Sequence, residues 1–159
     1  MVSPVLLKTT GGRKLMWTVD DNVGLGQPNK QADVDLVQLG YAYMLANAQA
    51  QKSADEVAAF KKVKPGDMCN GRADDPLVQA IVAHQKSRGG TQDGRVSKFS
   101  ESHATYGSTD GPHTHMGVAL VFNIMAGMLD DYPRLDKSKT PPCPPSLKAA
   151  VLQLCQRDT

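Results

Sequence analysis

The sequence predicts an all-α protein: a three-helix core with a short N-terminal arm before it and an added helix at the C-terminal end. Three observations carry this expectation. Apolar residues recur at three- and four-residue steps in separate segments of the 159-residue chain, the period of a helix with one buried face. Aromatic residues make up 5% of the chain, with a single Trp, so the core has to rest on aliphatics, Ala and the seven Met. A sheet sandwich would draw instead on β-branched and aromatic side chains. Helix-start and helix-stop residues also stand at the ends of the periodic segments.

The arm comes first, over residues 1–22. PVLL and LMWTV are short apolar pieces separated by Gly11, Gly12 and Arg13, a pattern that fits two extended segments and a small hairpin. Trp17 is its packing anchor. Asp33 then stands where a helix N-cap belongs, and Val34, Val37, Tyr41, Met44, Leu45 and Ala48 lay one apolar stripe along roughly four turns. Ser53 and Glu56 have capping-box spacing ahead of Val57 and Phe60, and Pro65 with Gly66 stops that short helix.

A second core helix is expected from Asp75 as cap and Pro76 at the first helical position, where a missing amide proton does no harm. Leu77, Val78, Ile81 and Val82 face inward, and Arg88, Gly89 and Gly90 end it. After the turn QDGRV and a polar loop, a third helix apolar on nearly every face is expected from about Thr114 to Leu129. Residues 131–159 form a Pro-rich connector and a last helix capped by Ser146, with Leu147, Ala150, Val151, Leu154 and Cys155 on its buried stripe. That stripe has to pack on the first or the third helix. The core is thus placed in residues 23–130.

The formal charge of +2 and the lack of a long like-charge block give no sign of nucleic-acid binding. No apolar run approaches the roughly 20 residues needed to span a bilayer, so no membrane insertion is expected. VSPVLL is interrupted by Pro4 and ends at Lys8, which is not the form of a cleaved leader. Residence in the cytoplasm, or export to the periplasm or wall by a route that needs no leader, follows as the expectation. Three Cys cannot all pair. A helix from Ser146 separates Cys143 from Cys155 by about 13 Å at ~1.5 Å per residue, beyond the ~7 Å a disulfide allows. Either Cys69 pairs with one of them or all three are reduced.

The chemical candidates are few. The loop SESHATYGSTDGPHTHMG gathers His103, Asp110 and His115, an N and O donor set of the kind that holds catalytic zinc with an open position. The seven-residue step from His103 to Asp110 resembles that of D-alanyl-D-alanine-type zinc peptidases, but Glu101 and Tyr106 stand where that family has Ser and Gly. The five residues from Asp110 to His115 also cannot hold the strand pair the family needs. No nucleophile elbow, phosphate cradle or resident cofactor is indicated.

Four short pieces carry a family resemblance: Val34, Val37 and Gln38; Asn70 and Gly71; Ala80, Ile81 and Gln85; and Asp93, Gly94 and Val96. Their order from about Val23 to Val96 resembles the peptidoglycan-binding-like helical domain. That family places an aromatic before the helix-closing Gln, where this chain has His84, and opens its second helix with a Gly-Pro-x-Thr step that RADDPLVQ lacks. The resemblance implies a non-catalytic binding or adaptor module of bacterial cell-envelope or secretion machinery, with peptidoglycan or a protein as partner. The ligand-binding positions it implies are Asn70, Arg72, Asp75, Gln79 and Gln85. The alternatives are a zinc-dependent wall hydrolase using His103, Asp110 and His115, and a protein-docking module without glycan binding.

Overall fold

A computed structural model describes residues 2–9, 12–46, 52–88, 92–96, 136 and 142–156, with the backbone alone for 2–18, 88 and 154–156. The polar loop with His103, Asp110 and His115 and the helix expected at 114–129 lie outside the described residues. The rest is mostly helical: α1 (Gln31–Ala46), α2 (Ala54–Phe60), α3 (Pro76–Arg88) and α4 (Pro145–Gln156). It is not purely so. β1 (Val2–Thr9) pairs antiparallel with β2 (Gly12–Val19), Val2 opposite Val19 and Thr9 opposite Gly12, so the arm is a full hairpin. A second pair joins β3 (Val23–Gly24) to β4 (Arg95–Val96). The hairpin is the arm its sequence predicts; the short β3–β4 pair was not predicted, and it forms because two brief extended runs satisfy their backbone groups across a ladder.

α1 is the central element of the described fold. Every residue from Asp33 to Tyr41 is buried, with Tyr43 and Met44, so the single stripe expected for this helix is in fact burial on nearly every side. Three polar residues share that interior, and each is satisfied. Asp33 does not cap the helix, which starts two residues earlier with the Val34 amide donating to the Lys30 carbonyl. Its carboxylate instead accepts from the backbone amides of Asp20 at 2.9 Å and Asp21 at 3.1 Å, tying the end of the hairpin to α1. Asp35 accepts from the Gln31 side chain and from the Ser146 hydroxyl, both at 2.6 Å. Gln38 accepts from the Gly66 amide at 3.0 Å and donates to the Asp67 carbonyl at 3.0 Å.

α2 has the capping box its sequence predicts, with Ser53 and Glu56 exchanging side-chain-to-backbone bonds at 3.0 and 3.1 Å. Its Phe60 stacks on Tyr41 with ring centroids 4.5 Å apart, and His84 of α3 meets Tyr41 edge-on at 5.8 Å. His84 therefore packs its ring against α1. Asp75 caps α3 as expected, accepting from the Leu77 amide at 2.8 Å. Leu77, Val78, Ala80 and Ile81 are buried beneath it, while Val82 is half-buried at the edge.

α4 begins at Pro145, not at a Ser146 cap, because the Pro144 carbonyl accepts the first helical bond from Lys148. Proline's fixed φ presets that start. Ser146 is thereby freed to donate to Asp35. Leu147, Ala150 and Val151 are buried, and the helix packs on α1.

Three substitutions test this core by denaturant unfolding. Ile81→Ala is expected to cost about 2–5 kcal/mol through transfer and cavity terms. Gln85→Ala is expected to cost about 1–3 kcal/mol by leaving buried backbone groups without partners. Tyr41→Phe should cost nothing and raise stability by up to about 1 kcal/mol, since its buried hydroxyl has no hydrogen-bond partner among the described residues.

Candidate functional site

Two of the four pieces of the resemblance, the Asx-Gly turns at Asn70-Gly71 and Asp93-Gly94, dock on one turn, residues 24–29. Asn29 holds it: its carbonyl oxygen accepts from the Gly24 amide at 2.7 Å, and its amide donates to the carbonyls of Gly24 and Gln27, both at 2.9 Å. Asn29 adopts a left-handed φ of 51°, which Asn tolerates better than most residues. Both Asx-Gly turns then dock on it. The Gly26 amide donates to the Gly71 carbonyl and the Leu25 amide to the Gly94 carbonyl, each at 2.9 Å. The fit leaves no room for side chains: a Cβ on Gly24 would lie 2.0 Å from the Gly94 carbonyl oxygen.

The second Asx-Gly turn is held from behind by α3. Gln85 is buried; its amide donates to Asp93 at 2.8 Å and to the Arg95 carbonyl at 3.1 Å, and its carbonyl accepts from Gly94 at 2.9 Å. The first is held by the helix cap. Asp75 Oδ2 accepts from the Asn70 amide at 3.0 Å while Oδ1 accepts from Leu77, and the Asn70 side chain accepts from the Arg72 amide at 2.8 Å in an Asx turn.

The five residues implied by the resemblance thus divide by accessibility. Asn70, Arg72 and Gln79 are exposed on the turn and the first turns of α3. Asp75 and Gln85 are buried, at 5% and 2% exposure, with their polar atoms already bonded within the fold, so their role is to position the turns. Nothing in spacing alone separates the two groups; burial does.

Beside this edge lies a concavity of about 40 Å³, lined by Gln38, Lys62, Lys64, Asp67, Met68 and Pro76, among others. Ligand pockets for small molecules run to roughly 300–1,000 Å³. This notch has the size of a water or a carboxylate, so any larger ligand has to lie across the surface. Lys62, Lys64 and Met68 were not singled out by motif; the available signal was the KKVK run between the capping-box helix and Pro65.

Among the described residues no group of three or more His, Cys, Asp or Glu is arranged to hold a metal ion. Cys69 and Cys143 are free thiols. Burial pushes the Cys69 thiol up to about 11, with the Asp75 carboxylate adding to the rise and the Gly71 amide opposing it. Burial, then Asp136 and Asp35, push Cys143 up to about 12. Burial raises Asp33 as well, against the pull of its two backbone amide donors.

Comparisons with protein-family models, with curated proteins and with solved structures give no match to the chain.

The two thiols carry a pH prediction. A thiol that ionises at 9.0 when unfolded and near 11 or 12 when folded favours the folded state below 9.0 and withdraws that contribution as pH rises through the folded values. Denaturant midpoints should fall between pH 8 and about 11, and Cys69→Ala with Cys143→Ala should flatten that fall. Non-reducing peptide mapping should recover no Cys143–Cys155 link.

Proposed function

We propose that the chain is a non-catalytic binding module of the peptidoglycan-binding-like type, acting as a wall-binding or adaptor element of bacterial envelope or secretion machinery. The observation that carries this reading is the docking of both Asx-Gly turns on the turn at 24–29. Val34, Val37, Ala80, Ile81 and Val96 form one buried cluster, Gln85 braces the second Asx-Gly turn from inside, and Gln38 braces the separate turn at Gly66. Asn70, Arg72 and Gln79 are left exposed at the rim, where a ligand can reach their donors and acceptors. The shallow relief there suits an extended polymer or a partner surface better than a small molecule.

Co-sedimentation with purified sacculi, with and without chelator, tests the proposal. The expected result is binding that survives chelator and drops about fivefold or more in Arg72→Ala with Gln79→Ala, the scale of one lost polar contact of about 1 kcal/mol. No muropeptides should be released. Stoichiometric zinc with turnover, both lost in His103→Ala with His115→Ala, would replace the module with a zinc hydrolase. Absence of wall binding, zinc and turnover alike would leave protein docking as the role.

A further inference from the structure

We infer that the connector between α2 and α3 is a docking surface for an acidic protein segment, which would lie across Lys61, Lys62, Lys64 and Arg72 and seat an apolar side chain on Met68. This deepens the adaptor side of the function proposed above by giving the chemistry of the partner. The first observation is charge segregation. Residues 61–72 hold four cations and one carboxylate, Asp67, a net +3 against +2 for the whole chain, so the remainder is close to neutral at −1.

The second observation is that these charges are unspent. All four cations are exposed, and none forms an ion pair among the described residues, although Asp55 and Asp74 stand close by in sequence. Like charges so concentrated repel one another, and a folded chain gains nothing from that repulsion. A complementary partner converts it into attraction and faster encounter.

A third observation separates this connector from an ordinary solvated loop. Its backbone is pinned to the core: Gln38 bonds Gly66 and Asp67, Gln31 also reaches the Asp67 carbonyl at 3.2 Å, and Asp75 holds the Asn70 amide. The attachment points of the charges are therefore fixed before a partner arrives, which lowers the ordering cost of binding. Met68, at 83% exposure, is the exposed large hydrophobic among the described residues, and it stands at the centre of the connector. The notch beside it is lined by Asp67 and Asp75 as well as by Lys62 and Lys64, so the segment's own carboxylates would lie across the lysines outside it.

The same surface is poorly made for other polyanions. Tyr41, Tyr43 and Phe60 are all buried, which leaves no aromatic platform among the residues whose side chains are described. One methionine also gives little apolar area for anchoring to a bilayer. An acidic peptide with an apolar residue among its carboxylates matches both the charges and the single anchor.

The experiment is fluorescence anisotropy with a short labelled peptide of glutamates flanking one leucine, titrated with the intact chain. Binding is expected at low salt, and it should weaken about tenfold or more as salt rises from ~10 mM to ~150 mM and the Debye length shrinks from ~30 Å to ~8 Å. Lys62→Glu with Lys64→Glu, on exposed positions, should weaken binding at least tenfold with an unchanged thermal melt, and Met68→Ala should weaken it severalfold. A peptide with glutamine in place of glutamate should not bind. No binding at low salt, equal binding by the charge-reversed variant, or tighter binding to phosphatidylserine vesicles or to an oligothymidine than to the peptide would overturn the inference. Sacculus binding is scored separately on Arg72→Ala with Gln79→Ala, which leaves all three lysines in place. Failure of wall binding with the peptide result intact therefore removes the wall ligand and not the acidic partner.

Discussion

Two buried side-chain amides hold this fold together. Gln38 and Gln85 occupy equivalent places on α1 and α3. Each accepts from the amide of a glycine in a left-handed turn, Gly66 at φ +97° and Gly94 at φ +69°. Each also donates to the carbonyl of the next residue, Asp67 or Arg95. A glutamate there could accept and not donate, and an aliphatic residue could do neither. Burying a glutamine costs free energy unless its amide is fully used, and here it is. Removing either amide would uncouple a helix from the turn it braces.

The turns braced in this way set the geometry of the exposed edge. Gly94 is fixed by Gln85 and abuts Gly24 so closely that any side chain at position 24 would clash with its carbonyl. The Gly71 turn meets the same segment from the other side through Gly26. The rim residues Asn70 and Arg72 therefore inherit their positions from a chain of backbone contacts that runs back to α3.

The local signals in the sequence were legible where the bond they encode is itself local. Ser53 with Glu56 and Asp75 with Pro76 specify bonds within three residues, and the structure has both. Asp33 and Ser146 carry equally good cap chemistry, yet each bonds elsewhere: Asp33 to the end of the hairpin, Ser146 to Asp35. Sequence spacing does not distinguish an oxygen turned toward its own helix from one turned toward a distant partner. The same limit hid the burial of α1. Nothing in the spacing marks Asp33, Asp35 and Gln38 as buried, because the groups that satisfy them come from positions 20, 66 and 146. The periodicity of α4, by contrast, shows one apolar stripe, and its described members Leu147, Ala150 and Val151 are buried. Of the site, the turn glycines were visible as motifs, while the split between exposed Asn70, Arg72 and Gln79 and buried Asp75 and Gln85 depends on packing.

The contact between Ser146 and Asp35 spans 111 residues of chain. A ribosome adding roughly 5–20 residues per second needs about 6–22 s to travel that interval. During that time the side of α1 that α4 later covers, with a carboxylate among its apolar residues, has no partner from this part of the chain. The nascent protein thus carries its most buried helix half-clothed for seconds, a window in which a chaperone that recognises apolar helices would compete with premature association.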